Sequence, residues 1–302
     1  MGKVHDLHTD ETLVARLIRA QMPQWAHLPV REVADGGWDN KSFRLGASML
    51  VRLPRAERYV AQVEKEQTWL PRLARGLPLP IPTPLAAGVP SDLYPWPWSV
   101  YAWIDGEAAS GASIDDADEF AASLAEFLLA LQRLDTAGGP APGAHNFFRG
   151  GQLSAYDGQA REAIERLQPA GKAAEALAIW ETALCANWRG PDVWVHGDYA
   201  AGNLLVRRGR LAAVIDFGMI AVGDPACDLA IAWTFLSERG RHAFRSTLGL
   251  DSGTWARGRG WAIWKAAILV TGLVRGHPRD EASAAGMLDA VIADHRQARL
   301  SG

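Results

Sequence analysis

The stretch that decides the fold reads VHGDYAAGNLLV over residues 195–206 and continues, after a short turn, with AVIDFG over residues 213–218. Apolar residues flank the polar positions as they do in buried strands, so the two segments predict a hairpin. Asn203 then begins one strand and Asp216 ends its antiparallel partner, and we expect both at the same end of the ladder. Asp198 falls in the turn just before this hairpin.

These three side chains offer oxygen atoms at the spacing that phosphoryl transfer requires. A carboxylate at Asp198 can orient a substrate hydroxyl and accept its proton, while Asn203 and Asp216 supply the oxygen donors that a hard cation such as Mg²⁺ prefers. Taken singly, each position would suit an ordinary loop or a turn cap. The joint pattern, with strands on the correct sides of each motif, favours phosphoryl transfer.

Outside this stretch, the chain predicts a strand-rich first third and a helix-rich remainder. Ser113 and Asp116 have the spacing of a helix N-terminal cap, and residues 46–47 are expected to form a two-residue hairpin turn. The predicted helices cover residues 11–20, 59–73, 116–134, 160–167, 173–187 and most of the chain from 252 onward, and the predicted strands cover residues 42–45, 48–53, 96–104, 193–195, 204–206 and 211–215.

Length and composition bound the class of protein. The 302 residues suffice for one large domain or two lobes, and a hydrophobic content of 48% with a net charge of −3 argues against disorder and against a nucleic-acid binder. The longest apolar run, residues 261–274, is interrupted by Lys265 and is too short for a membrane span. The N-terminal residues lack the apolar core of a signal peptide, and the chain has only two cysteines. We therefore expect a cytoplasmic protein without a membrane partner.

The segment over residues 193–233, with HGDYAAGNLLV, AVIDFG and GDPACDLA, closely resembles the aminoglycoside phosphotransferase family. That family shares a two-lobed, protein-kinase-like fold with choline and homoserine kinases. The resemblance implies an α+β fold with three parts. An N-terminal nucleotide-binding lobe over residues 1–101 has an antiparallel sheet and one main helix, residues 102–106 form a hinge, and a larger helical C-terminal lobe over residues 107–302 carries catalysis and substrate binding.

The resemblance also implies roles for the motif residues. Asp198 resembles the catalytic aspartate, and Asn203 and Asp216 resemble the Mg²⁺ ligands. His196 in such motifs is usually structural and holds the loop by hydrogen bonds. Asp228 resembles a second aspartate that braces the catalytic loop.

On the nucleotide side, the loop over residues 35–40 lies where a kinase-like fold covers the phosphates. Gly37 would let backbone amides approach phosphate oxygens, and Asn40 would reach the nucleotide. The strand position that normally carries a lysine holds Arg52, which can bind phosphate bidentately or, alternatively, face solvent on an edge strand. Its expected partner is Glu66 rather than Glu64, because Glu66 lies on the same helix face as Leu70.

The same resemblance implies that the purine lies against the backbone of Ala102 and Ile104, with Leu205 as the floor beneath the base. Apolar residues at these positions would equally suit a plain core. ATP is the default co-substrate, and the sequence leaves GTP open as well as the oligomeric state.

Three functions agree with this sequence. The leading one is an antibiotic phosphotransferase with an aminoglycoside as the hydroxylated small-molecule acceptor, which would require acidic side chains in the acceptor cleft. The second is a metabolic small-molecule kinase with the same machinery. The third is a non-catalytic nucleotide-binding protein, which only the replacement of lysine by Arg52 favours. The tryptophans over residues 255–264 are expected in the core, and the loop over residues 146–149 is a candidate for the acceptor site by location alone.

Overall fold

The computed structural model describes residues 9–33, 37, 39–276 and 278–300. The chain divides into two compact units, Met1–Gly106 with Ala213–Gly218, and Glu107–Ala212 with Met219–Gly302. The short segment Ala213–Gly218, which carries Asp216, thus belongs to the first unit although it lies far downstream in sequence. Among the described residues, no helix is long and apolar enough to cross a membrane.

The first unit is built on an antiparallel sheet. Its strands follow the order β1-β2-β3-β5-β4. In chain order its elements are α1 at Glu11–Gln21, β1 at Val30–Glu32, β2 at Asn40–Leu45, β3 at Met49–Pro54, α2 at Val60–Leu73, β4 at Pro84–Gly88 and β5 at Trp98–Ala102.

Strand β3 shows how the sheet separates an apolar face from a polar one. Val51 and Leu53 are fully buried in a core that also contains Leu17 of α1. Successive side chains of a strand point to opposite faces, so Arg52 lies on the other side of the sheet, where it meets α2. This alternation places the Arg52 side chain on the face of the sheet that packs against α2.

The hairpin between β2 and β3 differs from its prediction. Leu45 pairs with Met49, so the connection contains Gly46, Ala47 and Ser48, and the predicted two-residue turn is wrong. Gly46 has a φ of +58°, the left-handed conformation that three-residue hairpin loops commonly contain.

The second unit contains most of the helices. Its short strands form two ladders, β10-β7 and β6-β8-β9, and the last two residues of β9 fall in the first unit. In chain order its elements are β6 at Glu107–Ala108, α3 at Ala117–Gln132, α4 at Asp157–Glu165, α5 at Ala170–Cys185, β7 at Val193–Val195, β8 at Leu204–Arg207, β9 at Arg210–Val214, β10 at Ala221–Gly223, α6 at Ile231–Thr234, α7 at Glu238–Leu248, α8 at Ser252–Val270 and α9 at Pro278–Leu300.

Helix α8 lies at the centre of this unit and packs against α4, α5 and α9. Its tryptophans are buried, as the sequence predicts. Two of its arginines are also buried, and each is neutralised by a carboxylate, because an unpaired charge there would be costly. Arg257 lies 2.6 Å from Asp224, and Arg259 lies 3.0 Å from Asp294.

The start of α3 corrects a second prediction. The Asp116 side chain accepts hydrogen bonds from the backbone N–H groups of Asp118 and Glu119, so Asp116 is the N-cap itself. The cap expected at Ser113 is therefore wrong. A carboxylate at this position also interacts favourably with the positive end of the helix dipole.

Candidate active site

The loop between β7 and β8 presents Asp198 on the second unit. Gly197, just before it, has a φ of +82°, and a Cβ atom there would lie 2.4 Å from the carbonyl oxygen of Met219. Only glycine fits both constraints. The Asp198 side chain itself is exposed, so a substrate can reach its carboxylate.

The base of this loop is held by Asp228. Its carboxylate is buried and accepts hydrogen bonds from the backbone N–H groups of His196 at 2.7 Å and of Gly197 at 2.8 Å. Burial raises the pKa of Asp228, while His196 and these donors act in the opposite direction. The buried His196 ring accepts a hydrogen bond from the N–H of Asp198 at its Nδ1, at 3.3 Å. The structure thus brings both predicted supporting residues to the loop that carries Asp198.

Asn203 lies next to Asp198 on the same unit. It ends the short 3₁₀ turn Ala201–Asn203 that leads into β8. Its Nδ2 donates to the backbone oxygen of Asp198 and to its Oδ2, both at 2.9 Å. Since the amide nitrogen faces Asp198, the amide presents its oxygen in the other direction.

On the first unit, Arg52 joins two carboxylates. Its Nη1 lies 3.2 Å from Glu66 Oε1 on α2, and its Nη2 lies 2.9 Å from Asp216 Oδ1. The Arg52 side chain is only 11% exposed, so the solvent-facing alternative does not apply. The planar guanidinium suits this arrangement because its donors fan out in fixed directions. The expected partner, Glu66 rather than Glu64, is the one in contact.

Tyr101 of β5 completes this buried group, and sequence reasoning missed this role. Its hydroxyl donates a hydrogen bond to Glu66 Oε2. Burial raises the pKa of Glu66, and Arg52 opposes this shift. For Arg52, burial acts to lower the pKa, but the carboxylates of Asp216 and Glu66 hold it above its ordinary value. Burial, followed by Glu66, also raises the pKa of Tyr101 well above its usual range, so the phenol stays a donor.

Asp216 has an unusual backbone. Its φ of +65° lies in the left-handed region, which few residues other than glycine adopt and which often marks functional sites. A Cβ atom built on Gly37 would lie 3.9 Å from Asp216 Oδ2, so the predicted phosphate loop passes close to this carboxylate. Asp35, Gly36 and Trp38 of that loop lie outside the described residues.

The remaining residues predicted to bind the nucleotide lie in different elements of the two units. Asn40 is buried at the start of β2. The N–H of Ala102 donates to Thr83, so only its carbonyl could accept from a purine. Among the described residues, the N–H of Ile104 has no backbone acceptor. Leu205 is buried in β8 of the second unit.

A small pocket on the second unit opens beside Asp198. Arg149, Trp261, Trp264 and Lys265 contribute to its walls. The sequence indicated the loop of Arg149 only by location and assigned the tryptophans to the core, and it missed Lys265. No local motif marks these residues, because they come from distant parts of the chain.

Comparisons with known proteins agree with this geometry. A family model described as "Phosphotransferase enzyme family" matches residues 30–261, more than half of the chain. An aminoglycoside 3'-phosphotransferase of Escherichia coli is 36% identical over 64 residues, which cover 21% of this chain and 24% of that protein. A protein of the same name from Salmonella typhimurium is 43% identical over 49 residues, 16% of this chain and 18% of its own length. The chain thus matches a quarter or less of the length of these curated relatives.

Solved structures resemble the chain over nearly its whole length. The GDP and kanamycin complex of APH(2")-IIia has a TM-score of 0.72 at 19% identity and covers 93% of this chain and 98% of its own. The macrolide 2'-phosphotransferase MphH from Brachybacterium faecium has a TM-score of 0.58 at 20% identity, covering 89% and 98%. At such identities the likeness concerns the fold, and the α+β fold expected from the sequence is confirmed.

Proposed function

The chain belongs to the phosphotransferase enzyme family, and we propose that it transfers the γ-phosphoryl group of ATP or GTP to a hydroxyl group of a small molecule. The observation that carries this proposal is the exposed Asp198 carboxylate on a loop that buried Asp228 holds by two backbone hydrogen bonds. An accessible carboxylate on a fixed loop is what orientation of an attacking hydroxyl requires.

In the proposed reaction, Asp198 binds the acceptor hydroxyl and takes its proton. The acceptor oxygen forms a bond to the γ-phosphorus, and the bond between that phosphorus and the oxygen bridging to the β-phosphate breaks. The products are a phosphomonoester and a nucleoside diphosphate. Asn203 keeps the Asp198 carboxylate in place by its hydrogen bond to Oδ2, so that less motion is needed to reach the reactive geometry.

Asn203 and Asp216 fit the role of Mg²⁺ ligands, because each offers an oxygen donor of the kind that a hard cation prefers. Asp216 accepts from Arg52 through Oδ1, and the side chain is 25% exposed, which is compatible with such a role. Bound Mg²⁺ would neutralise charge on the nucleotide phosphates. We assign Arg52 to the nucleotide phosphates, held by Glu66, and Gly37 and Asn40 to the loop above them. Ala102, Ile104 and Leu205 are assigned to the base.

Two classes of antibiotic are the first acceptors to test. The structures named above include a kanamycin complex and a macrolide phosphotransferase, so aminoglycosides and macrolides belong in the first panel of compounds. An aminoglycoside is the acceptor that the sequence favours, and a hydroxylated metabolite is the alternative.

The test is release of nucleoside diphosphate from ATP and GTP with Mg²⁺ across aminoglycosides, macrolides and hydroxylated metabolites. Asp198→Asn should lower turnover by about 10²–10⁴-fold, because the proton acceptor is lost. Binding of the nucleotide should persist. The matched control is Asp192→Asn, which changes an exposed carboxylate in the loop before β7 and should leave turnover unaltered. Full activity of Asp198→Asn, or parallel loss in Asp192→Asn, would refute the assignment of Asp198.

A further inference from the structure

The pocket beside Asp198 has a cationic and aromatic lining. Its charged side chains are Asp198, Arg149 and Lys265, and Asp198 is the only carboxylate among the described residues that line it. Lys265 is neutralised by Asp280 at 3.0 Å. Cys227 also reaches the pocket, and burial raises the pKa of its thiol well above the usual range, so it stays uncharged.

Arg149 is oriented by three aromatic rings. Its guanidinium carbon lies 4.7 Å from the ring centroid of Trp264, 5.0 Å from that of Trp261 and 6.0 Å from that of Tyr156. The rings also contact each other, with 4.3 Å between the centroids of Tyr156 and Trp264. Packing on ring faces stabilises a guanidinium and leaves its edge N–H groups available for a ligand.

The backbone of Arg149 is fixed as well. Asn146 is fully buried, and its Nδ2 donates to the carbonyl oxygens of Arg149 at 2.8 Å and Met219 at 3.1 Å. Phe147 and Phe148, which lie between Asn146 and Arg149 in the sequence, both have positive φ values, 52° and 54°. A strained loop with a buried polar anchor commonly serves a site, because strain persists only where the surroundings enforce it.

Within the described part of the chain, no carboxylate forms an ion pair with Arg149. Arg257 and Lys265, by contrast, each pair with a carboxylate. A partly buried guanidinium that is oriented by aromatic rings and lacks a carboxylate is well suited to bind an oxyanion through charge-assisted hydrogen bonds.

We propose that the acceptor of this phosphotransferase carries an anionic oxygen group, a carboxylate or a phosphate, which Arg149 binds beside the hydroxyl that Asp198 orients. This inference rests on the proposed function. It also reverses the preference expected from the sequence, because ammonium groups of an aminoglycoside would be repelled by Arg149 and would find one carboxylate in this pocket. The aromatic rings favour an acceptor with a planar or apolar part next to its anion.

The test measures binding of matched compounds by calorimetry with Mg²⁺ and a non-hydrolysable ATP analogue present. The probes are 4-(hydroxymethyl)benzoate against its amide, 4-(hydroxymethyl)benzyl phosphate against the parent diol, and kanamycin. We expect each anion to bind about tenfold more tightly than its neutral counterpart, the effect of one charge-assisted hydrogen bond pair. A preference for the benzoate over its amide, without a preference for the benzyl phosphate over the diol, identifies a carboxylate acceptor. A preference only in the phosphate pair identifies a phosphorylated acceptor.

Arg149→Met keeps the apolar stem and removes the charge, so the charged and neutral members of each pair should bind about equally. Arg149→Lys keeps the charge without the planar fork and should retain part of it. Arg166→Met changes an exposed arginine that directly follows α4, and it should retain the whole preference. Melting temperatures establish that each variant is folded, and Arg149→Lys keeps the test valid if Arg149→Met is not.

Two outcomes overturn the inference. One is equal or undetectable binding of the charged and neutral members of both pairs, and the other is an unaltered preference in Arg149→Met. Failure of this inference can be distinguished from failure of the proposed function. Transfer that depends on Asp198 but shows no anion preference refutes only the inference. Anion binding that depends on Arg149 without any transfer refutes the phosphotransferase assignment and leaves Arg149 as an anion-binding residue alone.

Discussion

Arg52 forms ion pairs with two carboxylates of the first unit. A guanidinium can meet Glu66 and Asp216 at the same time because its nitrogen atoms point in different fixed directions. A lysine ammonium is a single point charge and would have to divide its contacts. We therefore propose that the arginine takes the place of the lysine with a different geometry, so its presence is weak support for a non-catalytic protein.

Replacement of Arg52 should affect both nucleotide binding and stability. Arg52→Met leaves two carboxylates without their shared cation, and breaking such a buried pair costs about 3–5 kcal/mol of unfolding free energy. We expect Arg52→Met to raise the KM for nucleotide by more than about tenfold and Arg52→Lys to raise it less, since the charge is retained.

The measurements are chemical denaturation and steady-state kinetics. Arg31→Met, at an exposed arginine of β1 in the same sheet, is the control and should change neither quantity. A KM for nucleotide in Arg52→Met equal to that of the unmodified chain would remove Arg52 from the nucleotide site.

At this scale the sequence predicts contacts that the family resemblance and a local pattern together signal, and it misses those that neither signals. Glu66 was predictable from its helix face. The contact between Arg52 and Asp216 spans 164 residues of sequence, and nothing local to either residue signals it. The aromatic rings around Arg149 likewise come from segments that only the tertiary fold brings together.

Helix α3 illustrates the limits of local signals at the scale of elements. Both Ser113 and Asp116 fit the composition of an N-cap, and sequence alone favours the spacing between them. The helix begins at Ala117, one residue after its predicted start, and the residue directly before it, Asp116, is the cap. Hydrogen-bond geometry at the first turn decides between the two residues, and composition does not.

Asp116→Ala should therefore lower the free energy of unfolding by about 1 kcal/mol, the usual cost of losing an N-cap. The control is Ser113→Ala, which should have little effect because Ser113 does not cap the helix. Thermal or urea unfolding of both variants measures the difference. Equal effects of the two substitutions, or a larger one at Ser113, would contradict the observed cap.

The hairpins show the same limit. Short strand-like runs with a turn between them predicted both hairpins, but the turn between β2 and β3 contains one residue more than expected. In the hairpin from β8 to β9, Arg208 and Gly209 both have positive φ values, 52° and 70°, as a two-residue hairpin turn requires. Such runs identify strands, whereas the turn length depends on the register that packing selects.

At the scale of the whole molecule, Lys65 makes stability depend on pH. Burial lowers the pKa of this α2 lysine from 10.5 to about 8, and Glu66 opposes the shift. Above pH 8 the folded chain therefore releases a proton that the unfolded chain keeps up to about 10.5. The folded state then binds fewer protons, so its stability should rise with pH across this window.

Lys65→Met removes this titration. The lowered pKa corresponds to roughly 3 kcal/mol of unfolding free energy at most. The stability of the unmodified chain relative to Lys65→Met should therefore rise by up to that amount between pH 8 and 10.5. Urea unfolding at several pH values measures this change, with Lys172→Met at a partly exposed lysine of α5 as the control. A constant difference between Lys65→Met and the unmodified chain over this range would contradict the lowered pKa.

The family and the fold class follow from the sequence because the motif residues lie within one continuous stretch. That stretch encodes its own strands, turn and the loop of Asp198. The pocket proposed for the acceptor is different, since its walls combine the loop of Arg149, the loop of Asp198 and helix α8. Substrate preference therefore depends on tertiary packing that local pattern does not encode.

The central claim is phosphoryl transfer directed by Asp198, and transfer of a γ-phosphate label from ATP or GTP to an acceptor tests it most directly. The unmodified chain and Asp198→Asn are compared with Mg²⁺ and the same acceptors, and nucleotide binding is measured in parallel. The account predicts label in a phosphomonoester of the acceptor, lost in Asp198→Asn while the nucleotide still binds. Label found only in inorganic phosphate, or transfer retained by Asp198→Asn, would contradict it.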